Sequence, residues 1–515
     1  MSLRRLAPIP VFCLVFLLYA VWLAYPIALQ TADIGRHLMT GEVILRTPGL
    51  FWDVTQTNFY TYTNPGYAAV NHHWLSGILL RQMLKLGGWT WLHLGYILVS
   101  LVAFGFFIDT GRRLGGVWAS LIAAIAFLPL IAERVEIRPE GFAYALTGIV
   151  FWILVRTEQG TLPSRWRYAI PAIMVLWVNI HASFPIGFLL LGAFLLSGLF
   201  RLSKGEISID ALHSLLFASG LSVAATFLNP NVLGGAIEPF MIFRDPGYAV
   251  IENQTLPFLE HLGVFKMSFL FFKVWCVLLI VGSAIAFRSP KSRQLLPYVL
   301  IGVLMAVLVW TGARHITMFG FLMIPVLCAL VGPIRESSIG WLRHTLVPVA
   351  AVVLCSSLLF QFAELRHRWI VIGLAPHSND AANFIEQNGI TGPFFNDFDI
   401  AGYLIFHFFP KEKVFVSNVP EAQPPSFFRD VFIPMQEDAA VWQKELQQYQ
   451  FNAIVVYYHE RTQWLQDFIK SRVGDPEWAP VYADDSVLIL LRRNGKNADI
   501  IQRNEIPASR FDFKK

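Results

Sequence analysis

Apolar runs long enough to cross a bilayer recur along the first 362 residues. A spanning helix needs about 20 mostly apolar residues, because hydrocarbon offers no water to satisfy an open backbone. Such runs lie near residues 9–29, 90–108, 116–132, 141–156, 168–180, 184–200, 211–228, 266–287, 295–312, 316–332 and 345–362. They predict a polytopic α-helical membrane protein with about eleven transmembrane helices, the fourth and fifth being short. Composition agrees: only 15% of the 515 residues are charged and 55% are hydrophobic, where a soluble domain carries about 25% charged residues. The net charge of +5 is spread over short loops. It reads as a topology signal, not as a nucleic-acid footprint.

Charge sets the orientation. With the N-terminus inside, the cytoplasmic loops carry Arg112 and Arg113, then Arg156, Arg165 and Arg167, then Arg201 and Lys204, then Arg288, Lys291 and Arg293, and last Arg335 and Arg343. The opposite loops carry Asp33, Glu42 and Asp53, then Glu133, Glu136 and Glu140, then Glu238, Asp245, Glu252 and Glu260. This is the positive-inside pattern, and an odd number of spans leaves the C-terminus outside. Arg4 and Arg5 precede a first run too long for a secretory leader, so that run reads as an uncleaved signal anchor. Cys13, Cys276, Cys328 and Cys355 all fall in apolar runs, which argues for small buried hydrophobes and against a disulfide framework.

Three regions follow: a transmembrane domain over 1–362 with a first extracytoplasmic loop at 30–88, an extracytoplasmic α/β domain over 363–495, and a polar tail over 496–515. In the α/β domain the periodicity predicts a helix over 379–388 capped by Ser378, further helices over 439–449 and 462–472, and strands over 413–416, 453–457 and 487–491. The polar tail is expected to be mobile.

Ionisable residues gathered just outside the spans mark the candidate chemistry. Asp33 follows the first span, and His37 lies one helical turn on. Asp33 suits a general base for an acceptor hydroxyl, a contact to a divalent cation such as Mg or Mn, with Asp53 as second ligand, or simply a helix cap. His72 and His73 open an amphipathic stretch, Trp74 to Leu86, and suit headgroup or acceptor contacts or plain hydrogen-bonding anchors. In the next loop, Arg138 offers a planar fork for phosphate, and Glu140 either binds ligand or favours its helix N-terminus. His181 sits at a tight turn. Arg314, followed by His315, would hold a lipid phosphate or neutralise a glutamate. No phosphate-binding glycine loop is present, which leaves energy input from ATP without support.

These residues carry a resemblance. Asp33-Ile34-Gly35-Arg36-His37, Thr57 to Thr63, Asn71-His72-His73-Trp74-Leu75, Arg138-Pro139-Glu140, Asn179-Ile180-His181 and Asn396-Asp397 with Ala401-Gly402 resemble bacterial membrane glycosyltransferases of the GT-C class. That group includes protein mannosyltransferases and aminoarabinose transferases. The resemblance implies a polyprenyl-phosphate-linked sugar as donor, inversion at the anomeric carbon, and an envelope glycan, lipid or protein as acceptor. It also implies Asp33 as base or metal contact, in a bacterial plasma membrane. Many members pair two acids at that place, whereas this chain has Asp33 alone. A lipid or solute transporter and a non-catalytic envelope-assembly scaffold are the rival readings. Transporters set polar groups near the bilayer midplane, while here the charges cluster outside the spans.

Overall fold

The computed structural model describes all residues except 1–7, 32, 242–246, 289–291, 337–339 and 512–515. Arg4, Arg5, Asp245 and Lys291 thus lie outside the described residues. The chain divides into two compact units interleaved in sequence. The first takes residues 1–25, 93–232 and 250–372; the second takes 26–92, 233–249 and 373–515.

The first unit is helical. Among the described residues, six helices are long and apolar enough to cross a membrane: Trp74–Gly115, Glu140–Glu158, Pro185–Ser203, Met267–Phe287, Ser292–Thr311 and the stretch Ala313–Val331. Pro8–Leu23, Val117–Ile131 and Ile209–Ala225 are apolar but shorter, and Ile170–Ile180 has only 11 residues. A further helix runs from Gly340 to His367. The first helix stops at Leu23 rather than at residue 29, and Ile27 then pairs with Leu374 within the second unit.

Aromatic rings fill the helical core. Phe127 meets Trp275 at 4.1 Å between ring centroids, and Phe107 stacks on Phe321 at 5.1 Å. Pro129 lies inside Val117–Ile131 and has no N–H to give the carbonyl four residues back. That carbonyl, Ile125 O, instead accepts from Ser357 Oγ at 2.9 Å and Gln361 Nε2 at 3.3 Å. A backbone acceptor freed by proline is thereby satisfied from a second helix, as a dry interior requires.

The second unit holds a four-stranded sheet of order β1-β2-β4-β3, with β1 Phe394–Asn396, β2 Ala453–Tyr457, β3 Trp478–Ala483 and β4 Val487–Arg492. β1 and β2 are parallel, while β4 runs antiparallel to both β2 and β3. Phe395, Trp442, Phe451 and Phe468 pack together beside it. The expected helices form at Asp380–Gln387, Ala439–Tyr449 and Gln463–Val473, and the expected strands at 453–457 and 487–491.

Other expectations differ. Residue 379, not Ser378, takes the first cap position. Residues 413–416 form no strand: Val414 makes one bridge, to Thr61 of the first loop. Within the polar tail, Ala498–Asn504 is a helix that buries Ile500 and Ile501. Ile506 N–H donates to Pro480 O of β3 at 2.8 Å, which tethers the segment that was expected to be mobile.

The first loop folds with this unit. Tyr62 N–H donates to Val414 O, and Val414 N–H to Tyr60 O, each at 3.1 Å. Thr63 Oγ1 donates to Phe415 O at 2.5 Å, and Gln423 Nε2 to Thr63 Oγ1 at 2.8 Å. The Thr57–Thr63 motif therefore joins the loop to the C-terminal domain.

Candidate functional site

In the second unit the helix Ile34–Arg46 carries Asp33, Arg36 and His37. It is gripped at two glycine contacts. A Cβ on Gly35 would meet Gly402 O of the helix Ala401–Phe408 at 2.3 Å, and one on Gly41 would meet Gly77 O at 2.2 Å. Gly77 lies in the amphipathic stretch that starts at Trp74, and this stretch is a helix as expected. It ends at a kink where Gly88 has φ +72°, a conformation suited to glycine.

Asp33 occupies the cap position of its helix, yet its side chain makes no capping bond. Its Oδ1 instead accepts from Asn418 Nδ2 at 2.5 Å. Arg36 Nε donates to Asn418 Oδ1 at 2.9 Å. Arg36 and His37 are both buried, and His37 meets the ring of His73 edge-on at 5.2 Å. The backbone N–H of His73 donates to Asn71 Oδ1 at 3.0 Å, which closes the turn before Trp74. His72 is buried. Glu42 is held by Arg46, by Arg81 at 2.5 Å and by Lys85 at 3.2 Å. Burial alone would raise its carboxyl, but the hydrogen bonds from Arg81 and Lys85 outweigh that and lower it.

The two acids expected to hold a cation stand in different surroundings. Asp53 is exposed in the short helix Phe51–Gln56, while Asn418 offers Asp33 an amide N–H and not the oxygen ligand a hard divalent cation takes. Among the described residues no three His, Cys, Asp or Glu side chains gather to hold an ion.

In the first unit, charges from three loops meet. Arg134 donates to Glu140 at 2.9 Å and also to Glu252. Arg138 pairs with Glu136 at 2.9 Å and reaches the same Glu252 oxygen at 3.5 Å. Burial would raise the Glu252 carboxyl; Arg134 and Arg138 overcome this and lower it. Arg314 Nη1 donates to Asn253 Oδ1 at 2.8 Å, so its partner is the residue beside that glutamate. His315 follows, half-buried. Glu140 stands in the first turn of Glu140–Glu158 and also faces His181 Nε2 at 3.8 Å. Ser183 N–H donates to His181 Nδ1 at 3.0 Å, which leaves the ring proton of a neutral imidazole on Nε2, toward Glu140.

The sequence placed Arg138 and Glu140 in one loop and His181 and Arg314 in two others, and the structure links Glu140 to His181 and brings Arg138 to Glu252. Sequence reasoning marked Arg134 only as one charge of the run 133–140 that also holds Arg138, and it passed over Asn418. It named Glu252 only as a loop charge. Arg134, Arg138 and Arg314 together face Glu136, Glu140 and Glu252, so the cluster is close to charge balance.

The whole chain has solved counterparts. Apo ArnT from Cupriavidus metallidurans, an aminoarabinose transferase, is similar with a TM-score of 0.58 at 14% identity, covering 97% of this chain and 99% of that one. The same protein bound to undecaprenyl phosphate gives 0.57 at 14%, over 96% and 99%. The archaeal oligosaccharyltransferase AglB from Archaeoglobus fulgidus, in complex with an inhibitory peptide and a dolichol-phosphate, gives 0.59 at 10%, over 95% and 74%. This chain shares their fold. No protein-family model matches it, and no curated relative matches it by sequence. The polytopic, mostly helical architecture expected from the sequence agrees with this likeness, with six rather than eleven helices among the described residues long and apolar enough to cross a membrane.

Proposed function

We propose that the chain is a membrane glycosyltransferase that moves a sugar from a polyprenyl-phosphate donor to an envelope acceptor on the extracytoplasmic face. The observation that carries this reading is the end-to-end likeness in fold to ArnT, a protein solved with undecaprenyl phosphate bound. Asp33 takes the proton of the acceptor hydroxyl as general base. The acceptor oxygen then bonds to the anomeric carbon, and the sugar–phosphate bond breaks with its electrons leaving on the polyprenyl phosphate. His37 and His73, adjacent in the second unit, and His72 position the acceptor or headgroup.

Arg138 and Arg314, joined by Arg134, take up the donor phosphate in the first unit. Because the cluster is near charge balance, phosphate enters by displacing a carboxylate. Glu252 is the one that Arg134 and Arg138 share, so it is the one to give way. Glu140 and His181 then keep Arg134 in place. The membrane is the bacterial plasma membrane, with the N-terminus cytoplasmic and the C-terminal domain outside, as the loop charges require. The charged residues flank the helices rather than sitting mid-span, which favours this reading over a transporter.

The test is envelope glycan and glycolipid mass spectrometry on a deletion strain carrying either wild type or Asp33→Asn. Loss of one sugar from one envelope species, restored by wild type only, is the expected result. Full rescue by Asp33→Asn, or an unchanged profile on deletion, would overturn it.

A further inference from the structure

We infer that Asn418 is a positioning residue for Asp33, and that it fixes the direction in which the base presents its carboxylate. This rests on the assignment of Asp33 as the base. The amide's orientation is decided by its neighbours. Arg36 Nε can only donate, so the Asn418 atom it meets at 2.9 Å is the oxygen. The amide nitrogen is then turned to Asp33 Oδ1, at 2.5 Å. A donor bonded to a carboxylate is charge-assisted and roughly twice as strong as a neutral pair. The chain Arg36–Asn418–Asp33 therefore restrains the direction of the carboxyl group through its Oδ1.

Asp33 stands at the cap position of its helix with no capping bond, and Asn418 supplies it a hydrogen bond from outside that helix. Asn418 is well placed for the task because the sheet sets its position. It lies two residues past Val416, whose carbonyl accepts from Asn396 Nδ2 at 2.9 Å. Phe415 N–H donates to Asn396 Oδ1 at 2.8 Å, and Asn396 is the fully buried last residue of β1. The carboxylate is thus referenced to the sheet of the C-terminal domain. A base acts only within about 2.6–3.2 Å of its proton, and a misplacement of about 1 Å costs on the order of 100-fold in rate. Asparagine suits the position by shape and charge: leucine could not donate, and aspartate would set a like charge beside Asp33.

Once the Asp33 experiment has named the modified envelope species, initial rates on the purified full-length protein with that donor and acceptor test the proposal. Asn418→Asp keeps the side-chain shape and an oxygen for Arg36 but removes the donor. We expect its kcat to fall about 100-fold, with the donor KM within about 2-fold of wild type and the melting temperature unchanged. Asp33→Asn/Asn418→Asp should be no slower than Asp33→Asn, because the two residues act as one unit. Asn418→Ala, which has no side-chain donor, serves as the second variant if Asn418→Asp does not fold, with the same expectation. Wild-type kcat in the Asn418 variants beside an inactive Asp33→Asn overturns the positioning role alone, as does a double mutant whose losses multiply. An active Asp33→Asn overturns the base assignment and this proposal together.

Discussion

Three acidic side chains meet at the carboxyl ends of β1 and β2, and their protonation makes the C-terminal domain sensitive to pH. Asp397 is 1% exposed and accepts from the N–H groups of Asp399, Ile400 and Tyr457. Burial, with Asp399 and Glu460 nearby, still holds its carboxyl well above the usual range. Burial, reinforced by Asp399, pushes the Glu460 carboxyl up to about 7 against the opposing hydrogen bonds from Thr462. In the unfolded chain Glu460 ionises near its ordinary value of 4.5. Between those two values the folded state binds more protons, so stability falls as pH rises through that window and the penalty is complete above about 7. Glu460→Gln mimics the protonated form. It should raise the melting temperature by a few degrees at pH 8 and leave it unchanged near pH 4. Thermal melts of wild type and variant at the two pH values check this; an equal shift at both would show that ionisation of Glu460 is not the cause.

Elements differ in how well the sequence announced them. The apolar helices and β2 and β4 were legible because their periodicity is local. β1 was not, because three residues with all side chains buried carry no alternation. Residues 413–416 look like a strand, yet they pair with a first-loop segment more than 350 positions away. Asn418 was invisible for the same reason: its partner Arg36 is 382 residues distant, and a lone asparagine in a loop carries no spacing signal. Asp33 stood out because an acid beside a span is costly wherever it lies. The helix that bears it depends on close crossings that only glycine allows. At Gly77 a Cβ would meet His37 O at 2.6 Å, so Gly77→Ala must push that helix away. We expect a cost of about 1–3 kcal/mol and a loss of transferase activity through displaced Asp33 and His37. Gly220→Ala is the control: nothing lies within 4 Å of its Cβ position, so a helix-favouring gain of up to about 1 kcal/mol is expected there. Equal effects of the two substitutions on melting temperature and product yield would refute the close-crossing account.

At the scale of the whole molecule, the chain order hides a dependence. The sequence divides naturally at residue 363, where the apolar runs end, but the contacts divide it otherwise: residues 26–92 belong to the same compact unit as 373–515. The first-loop motif Thr57–Thr63 is held by Val414, Phe415 and Gln423, and Tyr62 OH donates to Phe394 O at 2.7 Å. The helix that carries Asp33 packs on Ala401–Phe408 through Gly35 and Gly402. Removing residues 373–515 therefore takes away the partners of the loop and not an appendage. The truncated chain should still insert, because its apolar helices remain, but residues 47–73 should become open to protease and the transferase product should disappear. Limited proteolysis of sealed vesicles with the extracytoplasmic face outward, followed by mapping of the cleavage sites, distinguishes this from an independent accessory domain. A truncated protein whose first loop stays as resistant as in the full chain would mean that the loop folds without the C-terminal domain. The dependence of the loop on the C-terminal domain, and with it the path by which Asn418 reaches Asp33, would then fall.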